Sequence, residues 1–119
     1  MGPVLLCDDA AAYGMLFERW MHDAGIDDVT QARTAAEALP LAERLQPRVI
    51  VLDHLLPDGT SAELLPRLRA VAPHARVLLI SGLGDDMLAE AAAVSGADGH
   101  LGKSATSQAM RDAVFALMG

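Results

Sequence analysis

Three short runs constrain this chain more than any other feature: PVLLC at residues 3–7, VIVL at 49–52 and RVLLI at 76–80. They are apolar with almost no alternation. A strand with one wet face alternates, whereas a strand covered on both faces does not, so these runs predict central strands of a parallel sheet. DVTQA at 28–32 and GHL at 99–101 are weaker and read as strands nearer the edges. Between the runs lie amphipathic stretches at roughly 10–24, 34–45, 60–71, 85–95 and 104–118. Five strand–helix units in a row predict an α/β fold with a parallel sheet and right-handed crossovers.

Local signals sharpen the helices. Thr34 with Glu37, and Thr60 with Glu63, have the spacing of capping boxes. Gly25 and Gly96 are suited to helix stops. Pro40 and Pro66 each fall about six residues into a helix, where a proline removes a backbone bond. A kink or a restart is expected at both. Tyr13, Phe17 and Trp20 stand at helical spacing and read as a core face rather than a cofactor box.

At 119 residues, 52% of them apolar, the chain suits one domain spanning 1–119 with a sizeable core. A formal charge of −7 argues against direct nucleic-acid binding and against an anionic membrane surface. No run approaches a membrane span and no signal-peptide pattern is visible. The single Cys7 forms no internal disulfide and fits a reducing cytoplasm.

In a parallel sheet, ligands collect beyond the carboxyl ends of the strands. Asp8 and Asp9 follow the first strong run, Asp53 the second and Ser81 the third; Lys103 follows the weak last strand. Lys103 is the only lysine among nine basic residues. Three converging carboxylates repel one another unless a cation joins them. A hard divalent ion such as Mg²⁺ suits oxygen ligands, and Lys103 adds a fixed positive charge. Such a site suits a phosphoryl group, with Asp53 as nucleophile and the Ser81 hydroxyl on a phosphoryl oxygen. Taken singly, Asp8 and Asp9 also read as helix-start acids, and Asp53 as a turn former before Pro57, Asp58 and Gly59. The set is far more specific than its members.

VLLCDD, VIVLDHLLPDGTSAELL, VLLISG and GADGHLGKS, in this order, resemble the response-regulator receiver domain of bacterial two-component signalling. The resemblance covers essentially the whole chain. It implies a flavodoxin-like (βα)5 fold with strand order 2-1-3-4-5 and helices on both faces. It implies that Asp53 accepts a phosphoryl group from a histidine kinase or histidine phosphotransfer protein. Asp9 would bind Mg²⁺ directly and Asp8 through water, with the Leu55 backbone carbonyl as a further ligand. Ser81 would hydrogen-bond a phosphoryl oxygen and Lys103 would pair with another. His100 stands where the family carries an aromatic switch residue, working together with Ser81. The face formed by the fourth helix, fifth strand and fifth helix would carry the output. Such a domain catalyses its own phosphorylation and dephosphorylation without being a classified enzyme.

Two departures bear on the switch. Ser104 follows Lys103 where the family has proline in a cis peptide. A non-proline cis bond costs about 2.5–4 kcal/mol. Either a trans peptide with Lys103 somewhat displaced, or a strained cis one, is expected. His100 weakens the switch or makes it sensitive to pH near neutrality. Leu83 between Gly82 and Gly84 predicts a mobile loop after Ser81.

On the last helix, Ala109, Ala113, Val114 and Leu117 are the expected buried stripe, and Phe115 projects from roughly the opposite face. Phe115 is a candidate contact for a homodimer, a partner or an output domain. The competing readings are a degenerate receiver that binds partners without phosphate, a haloacid-dehalogenase-type hydrolase and a flavodoxin. The hydrolase requires a DxDx[TV] nucleophile motif that is missing here. A flavodoxin requires a neutral phosphate-cradling loop where Asp8 and Asp9 stand.

Overall fold

The computed structural model describes residues 2–82, 93 and 96–119. Five strands form one sheet: β1 (Val4–Cys7), β2 (Val29–Ala32), β3 (Val49–Asp53), β6 (Arg76–Ser81) and β7 (Gly99–Gly102). Their order is β2-β1-β3-β6-β7 and every pairing is parallel. This is the expected 2-1-3-4-5 order once a two-residue antiparallel ribbon is set aside. That ribbon, β4 (Leu55–Leu56) and β5 (Gly59–Thr60), turns the chain from β3 into the next helix.

Period-2 side chains divide the core into two layers. Leu5, Cys7, Ile50 and Leu52 pack with Ala38, Ala42, Leu64, Leu65 and Leu68, the inward residues of α2 (Ala35–Leu45) and α3 (Ser61–Val71). Val4, Leu6, Val49, Val51, Leu78 and Ile80 pack on the other side with Phe17 and Met21 of α1 (Ala11–Asp23). Met110, Val114 and Met118 of the C-terminal helix (Ser107–Met118) join that second layer. Every residue of β1 and β3 is buried, because both of its faces meet helices.

Four details differ from the sequence expectation. Both α2 and α3 run unbroken through Pro40 and Pro66, with no restart. The carbonyls freed four residues earlier belong to Ala36 and Ala62, which are exposed and reachable by water. The C-terminal helix starts at Ser107, capped by the Thr106 hydroxyl on the Ala109 amide at 3.1 Å, and not near Ser104. Its buried stripe is Met110, Val114 and Met118, while Ala113 and Leu117 are only partly covered. Thr60 and Glu63 form a complete capping box. Thr34 caps Glu37, but the Glu37 carboxylate accepts from the Arg33 amide instead, leaving half a box. Gly25 and Gly96 hold the expected positive φ, 85° and 77°. Apart from Ala93, the helix expected at 85–95 lies outside the described residues, as do Leu83 and Gly84.

Candidate functional site

Register builds the site. Cys7 is level with Leu52, so Asp8 and Asp53 emerge side by side from the two central strands. Asp53 is level with Ile80, and Ser81 with Gly102, which brings Lys103 one residue beyond the sheet edge. The Lys103 amide donates to the Ser81 carbonyl at 2.9 Å, fixing the start of that side chain. Lys103 Nζ then lies 2.6 Å from Asp8 Oδ2 and donates to Asp53 Oδ2 at 3.2 Å. The contact with Asp8 is a short ion pair, and among the described residues the buried Asp8 Oδ2 has no hydrogen bond beside it. Asp8 Oδ1 accepts from the Ala10 amide at 2.8 Å and so ties the acid loop to the start of α1.

Burial, the largest influence, pushes the Asp53 carboxyl above its ordinary value, and Asp8 pushes the same way. Lys103 and the Leu55 amide hold it down without cancelling that rise. For Lys103, burial alone would lower the ammonium. The close contact with Asp8 and the charges of Asp53 and Asp8 outweigh it and hold the group above its ordinary value. Cys7, just inside the site, is buried and its thiol is pushed up to about 12 by desolvation and by Asp8. It is a core residue, not a nucleophile.

One acidic ligand atom from each of Asp8, Asp9 and Asp53 lies within 4.8 Å of the other two. Asp8 and Asp53 are buried and Asp9 is exposed, so the trio opens to solvent on one side. All three are hard oxygen donors, and Asp8 Oδ2 is a buried acceptor without a hydrogen bond. The donor set fits a metal ion.

The acid loop is clamped from the end of β2. Gln31 Nε2 donates to the carbonyls of Asp8 at 2.9 Å and Ala10 at 3.2 Å. Arg33 reaches the Asp9 carbonyl with Nε at 3.3 Å and its terminal nitrogen at 3.1 Å. Gln31 crosses α1 directly over Gly14, where a Cβ would stand 2.0 Å from its Oε1. On the far side of the mouth, Asp58 accepts from the Ala35 and Ala36 amides at 2.7 and 3.0 Å, pinning the ribbon to the start of α2.

The structure thus brings together Asp8, Asp9, Asp53 and Lys103, with Ser81 buried at the end of β6. Leu55 follows Asp53 by two residues, its amide on the carboxylate and its side chain exposed. The Lys103–Ser104 peptide is trans, since no cis bond occurs among the described residues, and Lys103 still reaches both carboxylates. His100 is exposed on β7, level with Leu79, and Phe115 is 40% exposed on the C-terminal helix. Neither belongs to the acidic cluster.

Sequence reasoning missed Tyr13. It is not merely core: the Lys103 ammonium sits over its ring, 4.8 Å from the centroid. Trp20 meets the same ring edge-on at 5.9 Å. Desolvation, then the charges of Asp8 and Asp53, push the Tyr13 phenol up to about 12. The available signal was its position, one helical turn after Asp9.

Comparison with known proteins agrees with this geometry. The family of response regulator receiver domains matches residues 4–115, and the chain belongs to it. The photosynthetic apparatus regulatory protein RegA of Rhodobacter capsulatus is 30% identical over 95% of this chain, which spans 61% of RegA's length. Sporulation initiation phosphotransferase F of Bacillus subtilis is 27% identical, covering 93% of this chain and 89% of its own. A two-component response regulator from Clostridium difficile shares the fold with a TM-score of 0.89 at 20% identity, over 99% of this chain and 96% of its own. A Burkholderia pseudomallei response regulator, solved with a phosphorylated aspartic acid, calcium ion and citrate, has a TM-score of 0.82 at 27% identity. It aligns over 98% of this chain and 72% of its own. The protein is therefore a receiver domain of two-component signalling, a class that works with kinases or phosphotransfer proteins and with output domains. Among the described residues no helix is long and apolar enough to cross a membrane.

Proposed function

We propose that this receiver accepts a phosphoryl group on Asp53, with Mg²⁺ held by Asp8, Asp9, Asp53 and the Leu55 carbonyl. The observation that carries the reading is the Lys103 ammonium shared between Asp8 at 2.6 Å and Asp53 at 3.2 Å. A cation fixed beside the nucleophile is what a transferring phosphoryl group requires, because catalysis of that transfer is mainly positioning and charge stabilisation. An Asp53 carboxylate oxygen attacks phosphorus as the P–N bond to the donor imidazole breaks. The imidazole nitrogen leaves with the bonding pair, and an aspartyl phosphate remains. Lys103 pairs with one phosphoryl oxygen and the Ser81 hydroxyl donates to another. Bound Mg²⁺ supplies neutralisation of the charge gathering on the phosphoryl oxygens. Attack of water on the aspartyl phosphate returns Asp53 and phosphate, so the domain limits its own signal without being a classified enzyme.

The donor is a histidine kinase or a histidine phosphotransfer protein, and the setting is the cytoplasm. The output leaves through the face that β7 and the C-terminal helix border. His100 and Ser81 serve there as the switch, and Phe115 as a contact for a partner or a homodimer. A dimer whose mass and dissociation are unchanged by Phe115→Ala would remove the homodimer role. Two observations favour a second reading, a phosphate-independent interaction module: Ser104 follows Lys103, and His100 is exposed where the family has an aromatic switch. Incubation with acetyl phosphate, with and without Mg²⁺, separates the two by intact mass. A gain of one phosphoryl group that needs Mg²⁺ is expected. No gain from several donors, with Mg²⁺ binding established, would favour the interaction module.

A further inference from the structure

We infer that Tyr13 is a positioning residue of this site, its ring face holding the Lys103 ammonium between Asp8 and Asp53. The inference rests on the phosphoacceptor reading for its functional consequence, but its geometry stands alone.

Lys103 enters from β7, the edge strand of the sheet, and its flexible side chain must cross to carboxylates on the two central strands. Its backbone is anchored where the Lys103 amide donates a hydrogen bond to the Ser81 carbonyl. The residue after it is Ser104, exposed and in a trans peptide, so no proline ring stiffens the turn there. A lysine is a compact charge on a four-carbon stem and holds no geometry by itself. Among the described residues three surfaces confine this one: Asp8, Asp53 and the Tyr13 ring at 4.8 Å. The two acids attract the ammonium but are also the groups a metal ion would claim. The ring is the one confining surface that is not a candidate metal ligand.

Tyr13 is itself fixed. It lies in the first turn of α1, one turn before the fully buried Phe17, and Trp20 packs edge-on against it at 5.9 Å. The ring face is turned to Lys103 while the edge contact secures its tilt, the orientation in which an aromatic quadrupole attracts a cation. A Tyr13–Trp20 pair that served packing alone would not need the lysine on its open face.

The test has two arms. In the first, carbon and proton shifts of the Lys103 side chain are recorded without ligand in wild type, Tyr13→Phe and Tyr13→Leu. Ring-current displacement of the Lys103 ε-protons is expected in wild type and in Tyr13→Phe, and its loss in Tyr13→Leu. No displacement in the wild type would overturn the inference, whatever the protein binds. In the second arm, affinity for beryllofluoride with Mg²⁺ is measured for the same variants, each with Lys103 and with Lys103→Ala. Tyr13→Leu should weaken binding about three- to tenfold when Lys103 is present, and Tyr13→Phe should recover most of that loss. In the Lys103→Ala background, Tyr13→Leu should change nothing further. An equal loss in both backgrounds would show that the ring acts on packing and not through Lys103. A wild type with displaced Lys103 protons that takes up no beryllofluoride would sink the phosphoacceptor reading and leave the ring's role standing.

Discussion

The two halves of the site are built differently. The acidic half rises from β1 and β3, the central strands, whose side chains are buried from end to end. Register alone sets Asp8 beside Asp53, and Gln31, Arg33 and the Ala10 amide hold the loop between them. The basic half is a single lysine just past the edge strand β7, whose side chain is 23% exposed and reaches across to both acids. One half is rigid because the sheet makes it so; the other depends on a few side-chain contacts. On the phosphoacceptor reading proposed above, the acceptor acid is fixed by the sheet and its cation is held by side chains alone.

That contrast can be broken at several points. The largest effect should come from beneath the acidic half. Leu52 is fully buried directly before Asp53, so Leu52→Ala should cost about 2–5 kcal/mol in a urea unfolding titration. A loss under 1 kcal/mol would mean that the strand is not the rigid platform described. Lys103→Ala comes next. Removing the cation leaves a buried Asp8 beside Asp53, but the partial exposure of Lys103 to water moderates what its charge contributes. A loss of about 1–3 kcal/mol without metal is expected. Added Mg²⁺ should recover part of it by mass action, and an Mg²⁺-insensitive loss would argue against a metal site among these acids.

Gly14→Ala should be milder. The new Cβ would meet the far end of Gln31, a flexible side chain that can swing away. The expected cost is the two Gln31 bonds to the acid loop, about 1–2 kcal/mol together, with weaker Mg²⁺ binding as the second symptom. Unchanged Mg²⁺ affinity would show that the loop needs no clamp.

The smallest effect concerns pH. The Ala35 amide first, then the Ala36 amide, hold the Asp58 carboxyl below its ordinary value. Folding therefore favours the ionised form. The stabilisation is fully present above the ordinary carboxylate value and is lost as pH falls below it, through the folded value. Urea midpoints measured down that acidic limb should fall less steeply for Asp58→Asn than for wild type. Parallel limbs would remove Asp58 from the account.

Much of this was legible in the residues. Non-alternating runs such as VIVL reveal strands covered on both faces, and the acids and the lysine at their ends reveal where the strands point. The parts that escaped depend on helical phase and distant contacts. Met110 and Met118 take the place of Ala109 and Ala113 in the buried stripe because packing into the layer of Phe17 and Met21 settles which face turns inward. Tyr13 shares its spacing with Phe17 and Trp20, so it reads as core, and its partner Lys103 is far away in the chain. The two prolines left a restart open, and its absence depends on whether water reaches the Ala36 and Ala62 carbonyls, which is a property of the folded surface.

The central claim is that Asp53 is the acceptor. The most direct test is to phosphorylate the chain with acetyl phosphate and Mg²⁺, reduce it with borohydride and map the peptides by mass. Reduction converts an aspartyl phosphate to homoserine. Homoserine at position 53 in the wild type, absent from Asp53→Asn, is the predicted result. Homoserine at Asp8 or Asp9, or a phosphoryl group still gained by Asp53→Asn, would contradict it.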